Sequence, residues 1–199
     1  MRLIVLDMRK YSFLLFFLCV SFSYSQVKKE KEERIPASEF PEKTRTYFNT
    51  ISQDVKYLKF YREIDGNKKS YEVKFKYKRE HYSVEFDTLG NLEDIEVVIK
   101  KKYIPKKAKT IIWDYFQDNF KKTILVKIQK QYVNTTTNTD KQFIQHILEK
   151  PYNKHTHFEI IAEIKTKKAH ELREFTFDRH GKFEKSRQVM TSSYEHALY

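Results

Sequence analysis

The chain contains one pattern twice. Phe40-Pro41-Glu42-Lys43-Thr44-Arg45-Thr46 recurs as Ile104-Pro105-Lys106-Lys107-Ala108-Lys109-Thr110, and Glu85-Phe86-Asp87-Thr88-Leu89-Gly90-Asn91 recurs as Thr176-Phe177-Asp178-Arg179-His180-Gly181-Lys182. A repeat confines the chain to two copies of one supersecondary unit, since each copy has the same apolar surface to bury with the same elements. The second copy is longer, and the polar stretch Asn134–Thr139 followed by a helix-like run accounts for most of the excess.

Each copy opens with a proline just inside a helix start, where the missing N–H costs nothing. Tyr47, Phe48 and Ile51 in the first copy, and Ile111, Ile112, Tyr115 and Phe116 in the second, fall at helical spacing. The period then changes to two. Tyr71, Val73, Phe75 and Tyr77 alternate with Glu72, Lys74, Lys76 and Lys78, and Tyr82, Val84 and Phe86 alternate with Ser83, Glu85 and Asp87. That alternation predicts half-buried antiparallel strands. Asp65-Gly66-Asn67 and Thr88-Leu89-Gly90-Asn91 read as hairpin turns. Leu92, Ile95, Val97 and Ile99 make a fourth strand, and Ile124–Ile128, Phe158–Ile164, Phe175–Phe177 and Phe183–Val189 repeat the scheme.

The expected fold class is therefore α+β, a tandem repeat of a helix packed on a four-stranded antiparallel sheet. The first repeat covers residues 40–103 and the second 104–199, with an inserted loop and helix at 134–154. Within the insertion, Asp140 to Lys150 is expected to be helical, since Phe143, Ile144, Ile147 and Leu148 share a face and Pro151 stops it. Units of about seventy residues without disulfides are marginal alone, so the copies are expected to pack together.

The N-terminus indicates the compartment. From Met8, Arg9 and Lys10 precede the apolar run Phe13–Val20, and small residues follow at Ser23 and Ser25. This is the order of a secretory signal peptide, with cleavage expected between Ser25 and Gln26 and Met8 an alternative start to Met1. The apolar run is about half of what spans a bilayer. Cys19, the one cysteine, lies inside that run behind Leu18, which disfavours lipidation; the exported chain would have no cysteine and would keep its basic excess. A periplasmic or secreted protein is expected. Residues 26–39, mostly charged, read as a tether.

A proline-started helix followed by strands ending in Phe-Asp-x-x-Gly resembles the PepSY-like, beta-lactamase-inhibitor-like tandem modules of exported Bacteroidota proteins. The resemblance covers roughly Ile35 to Met190, with Phe40-Pro41 and Phe86–Asn91 as the best-matching stretches. It implies a non-enzymatic envelope module. The second copy departs from the pattern by its insertion and by Arg179-His180 in the turn, and no inhibitory contact residue can be matched.

Composition narrows the chemistry. Three glycines in 199 residues leave no room for a phosphate-cradling loop or a dinucleotide fingerprint. No Gly-x-Ser-x-Gly elbow is present. Asp87 and Asp178 occupy the same place in their hairpins, where aspartate caps the turn. His155 and His157 would need His146, His170 or His180 to complete a metal site, so no metal and no cofactor are expected. The formal charge of +12 and the run Lys100-Lys101-Lys102 with Lys106, Lys107 and Lys109 point to anionic partners. Export argues against nucleic acid and for an envelope protein, an acidic macromolecule or a membrane surface. Asp87-Thr88-Leu89 also matches a short acceptor pattern for O-glycans, at Thr88.

A partner face can be placed on the first sheet. In the strand Val55 to Ile64, Leu58, Phe60 and Ile64 are expected to turn to the helix, leaving Tyr57 and Tyr61 on the open face with Lys74, Lys76 and Lys78. Tyrosine brings contact area with a polar tip, and lysines beside it steer an acidic partner. The expected function is an exported binding or inhibitory module acting through that face. The alternative is a carrier of a small ligand or anionic lipid, whose mark would be an aromatic-lined cavity between the repeats.

Overall fold

A computed structural model describes residues 27–28, 30–49, 55–149, 155–166 and 169–190. The expected cleavage residues Ser25 and Gln26, the helix-face residue Ile51 and the helix stop Pro151 lie outside the described residues.

The strands are β1 (Val27–Lys28), β2 (Glu30–Ile35), β3 (Lys56–Asp65), β4 (Lys68–Tyr77), β5 (Glu80–Asp87), β6 (Leu92–Val98), β7 (Lys122–Tyr132), β8 (His157–Lys165), β9 (His170–Asp178) and β10 (Phe183–Val189). The helices among the described residues are α1 (Glu42–Asn49), α2 (Lys106–Asn119) and α3 (Asp140–Glu149). All the strands belong to one sheet, in the order β1-β10-β9-β8-β7-β6-β5-β4-β3-β2.

This corrects the expected fold class. The chain does not form two helix-on-four-strand units; it forms a single ten-stranded mixed sheet that curls into a near-barrel. Three pairings bring this about. The edge of the first strand group joins that of the second, with Glu96 opposite Gln131 and Val98 opposite Gln129. The N-terminal segment then bridges the remaining edges, β1 running parallel to β10 and β2 antiparallel to β3. The charged stretch that reads as a tether thus supplies the closing strands.

Alternation along the strands gives the sheet two unlike faces. On the outer face the helices cover an aromatic core: Phe48 of α1 packs edge-on to Phe75 and Phe86, and Phe116 of α2 to Phe175 and Phe177. Phe40, ahead of α1, meets Phe60 with centroids 4.9 Å apart. α3 buries Phe143, Ile144, Ile147 and Leu148. It starts with a capping box: the Gln142 N–H donates to Thr139 Oγ1 while Gln142 Oε1 accepts from the Thr139 N–H.

The repeat survives in local detail. In both turns the aspartate accepts two backbone N–H bonds of 2.8 Å, from Leu89 and Asn91 to Asp87 and from His180 and Lys182 to Asp178. Those bonds hold the Asp87 carboxyl below its usual range; at Asp178 partial burial opposes them, and the bonds prevail. Each turn glycine has positive φ and lies against the first turn of its own helix, Gly90 on Thr44 and Gly181 on Ala108.

The β4–β5 hairpin turns without a glycine. The β4–β5 connection is Lys78-Arg79, both with positive φ (47° and 73°), as a type I′ turn requires. A second departure lies in β3, where a bulge between Lys56 and Lys59 puts Tyr57 at φ 58°. The bulge breaks the alternation at Leu58, which is 38% exposed; beyond it Phe60 packs against Phe40, while Ile64, on the same face as Phe60, is 37% exposed.

Candidate functional site

The inward face of the near-barrel is polar and charged. Glu32 of β2, Glu63 of β3, Glu72 and Lys74 of β4, Glu85 of β5, Lys127 and Gln129 of β7, Glu159 of β8, Glu174 of β9 and Arg187 of β10 alternate with the outward core residues. Charges withdrawn from water need partners. Many have them. Lys28 meets Glu30 at 2.6 Å and Glu174 at 3.0 Å, and Lys74 meets Glu32 at 2.7 Å and Glu72 at 3.2 Å. Burial by itself would lower both amines, but the carboxylates prevail and raise them. Burial likewise works against ionising Glu174, yet Lys28 and Arg187 hold its carboxyl down to about 2.

Elsewhere carboxylates crowd. Oxygens of Glu63, Glu72 and Glu85 lie within 4.8 Å of one another, the one group of potential metal ligands this close among the described residues. Burial first, then Glu85 and Glu30, push Glu63 up to about 12; burial and Glu72 push Glu85 to about 8 against the pull of Lys68. A hard cation uses such oxygens, but the group is also tied to its surroundings, Glu72 through Lys74 and Glu85 through Lys68. The histidines do not join it. His155 is buried 4.4 Å from the Phe158 ring, its basicity lowered to about 4 mainly by burial and then by Lys130, and His157 lies 3.4 Å from Glu184.

Towards the end of the near-barrel bearing the β4–β5 turn, the interior opens into a cavity of about 750 Å³. β3 and β4 contribute Tyr57, Lys59, Tyr61, Lys74 and Lys76, β5 contributes His81 and Ser83, and Val98, Ile99 and Lys101 come from β6 and the turn after it. β7 completes the wall with Leu125 to Gln129. The cavity therefore spans the junction of the two repeats. Among the described residues no aspartate or glutamate lines it.

Four of the five residues expected on the partner face, Tyr57, Tyr61, Lys74 and Lys76, come together here. Lys78 does not: it occupies the type I′ turn, with its amine 5.0 Å from the Tyr77 ring centre. Lys74 lies 5.2 Å from the Tyr61 ring, so these two side chains cover each other as well as lining the cavity. Sequence reasoning placed Lys59 on the face of Tyr57 and Tyr61 and Lys101 in the basic run, but missed Lys127. The Ile124-Val126-Ile128 alternation marks Lys127 as facing away from that apolar set, but nothing local shows that the same face is opposite Lys74 across the interior. In the basic run, Lys101 lies 3.6 Å over the Trp113 ring and also reaches the cavity wall. Thr88 is exposed at its turn.

Comparison with protein-family models and with curated protein sequences finds no match.

Proposed function

We propose that this is an exported, non-enzymatic binding protein that carries a small ligand with an apolar body and an anionic group in the cavity between its repeats. The cavity supports this role through its size, in the range of small-molecule sites, and through walls that combine Tyr57, Tyr61, Val98 and Leu125 with five lysines and no carboxylate. An envelope location, a PepSY-like origin of the two repeats and contact with anionic surfaces are proposed along with it, on the signal-peptide order of residues 9–25 and the quoted repeat motifs.

The geometry favours a small ligand over capture of a macromolecule. A protein partner laid across a sheet needs an open face, whereas here the inward face is ringed by strands and β1 and β2 bridge the edges. Titration of the purified protein with 1-anilinonaphthalene-8-sulfonate tests the role. Saturable fluorescence enhancement at one site is expected, together with its loss in Val126→Trp, which fills the cavity wall. Undiminished enhancement in a folded Val126→Trp protein would place the dye elsewhere and overturn the assignment.

A further inference from the structure

The interior lysines differ in what they are tied to. Lys28 and Lys74 each hold two carboxylates at ion-pair distance. Lys127 lines the cavity, and no ion pair within 4 Å is found for it among the described residues. Glu96 is the acid that favours its charge most, but the Glu96 carboxylate is hydrogen-bonded by the side chain of Gln129. A half-buried ammonium in this position is stabilised by any anion that enters the cavity.

We propose that the ligand of this cavity is an amphiphile with a single carboxylate, and that Lys127 is the residue that holds the carboxylate. The inference rests on the carrier role proposed above and names its ligand class. Lys127 is the cavity cation with most to gain: burial lowers its basicity, Lys74 and Lys28 lower it further, and Glu96 and Glu72 only partly restore it. Lys74 is already neutralised by Glu32 and Glu72. Glu96, the acid that most favours the charge on Lys127, limits the charge the ligand can bring, because a second negative charge there would be repelled by it. A monoanion fits and a phosphate dianion does not. The apolar body lies along Leu125, Val126, Val98 and Ile99, with Tyr57 and Tyr61 across the opening.

Calorimetric titration with dodecanoate, dodecanol and dodecyl phosphate separates the terms. Dodecanoate is expected to bind about tenfold or more tightly than dodecanol, and more tightly than the phosphate. Lys127→Met should bring dodecanoate to the level of dodecanol without altering dodecanol binding, Lys127→Arg should retain most of the difference, and Lys76→Met should change dodecanoate affinity by less than about twofold. In the unaltered protein, dodecanoate should protect Lys127 from acetic anhydride and leave Lys76 reactive, a readout that survives if Lys127→Met fails to fold. Equal binding of dodecanoate and dodecanol, or protection of Lys76 in place of Lys127, would overturn the assignment while leaving the cavity a ligand site. Failure of both to bind would remove the carrier role and the inference together.

Discussion

The Arg187 guanidinium of β10 lies 2.6 Å from the Asp65 carboxylate of β3, and its Nε lies 2.6 Å from Glu174. β10 and β3 would be the two edges of an open sheet, and this contact ties them across the N-terminal segment that closes it. Arg187 and Asp65 are half-buried and Glu174 is buried, so removing the guanidinium leaves a buried carboxylate uncompensated, which costs more than the pairs contribute. Arg187→Met should destabilise the fold by about 3 kcal/mol, and Asp65→Asn by about 1 kcal/mol, in urea unfolding.

The crowded carboxylates set a pH dependence. Glu85 and Glu63 have folded-state values of about 8 and about 12, above their value in the unfolded chain, so between pH 4.5 and 8 the folded protein holds protons that the unfolded chain has lost. Their contribution is full below pH 4.5 and declines as pH rises, by up to about 1.4 kcal/mol per pH unit for each group. Glu63→Gln should raise stability at pH 8 and flatten this decline. Denaturant midpoints measured from pH 5 to pH 8 on both proteins check it.

His155 has the opposite sign. Its folded value of about 4 lies below the ordinary 6.5, so the unfolded chain binds the proton first and stability falls as pH drops from 6.5 to 4. His155→Phe should remove that acid limb, read in thermal unfolding at pH 4.5 and pH 7.

The turn glycines differ in what surrounds them. A Cβ at Gly181, where φ is +91°, would lie 2.4 Å from the Ala108 carbonyl oxygen; at Gly66, φ +63°, it would meet nothing within 4 Å. Gly181→Ala should therefore cost roughly 3 kcal/mol and Gly66→Ala about 1 kcal/mol, the backbone term alone. Gly90→Ala, whose Cβ would lie 3.2 Å from the Thr44 methyl, should fall between them in a thermal-shift series.

Tyr57 combines a left-handed backbone with 72% exposure at the cavity opening. Tyr57→Gly should leave the thermal midpoint unchanged or raise it, while weakening dye binding severalfold. A large loss of stability would show that Tyr57 supports the β3 bulge.

Local signals were legible in the sequence wherever neighbouring residues settle the structure. The prolines before α1 and α2, the aspartate turns at Asp87 and Asp178, the apolar face of α3 and the alternation of β4 and β5 each follow from short-range geometry. The grouping of Tyr61 with Lys74 and Lys76 could be read from strand parity, whereas Tyr57 lies in the β3 bulge, which parity does not foresee. Lys78 could not, because no glycine or asparagine marks the turn that removes it from β4.

What tertiary structure decided is where the charged face of the sheet points. In sequence, Glu72, Lys74, Glu85 and Lys127 look like residues turned to solvent, and Lys28 to Arg34 looks like a tether. The fold turns that face inward and uses the tether as its closing strands, with Lys28 on Glu174 and Glu32 on Lys74. Alternation assigns residues to two faces but does not distinguish bulk water from a polar interior, since both accept charge, the one by hydration and the other by pairing residues far apart in the chain.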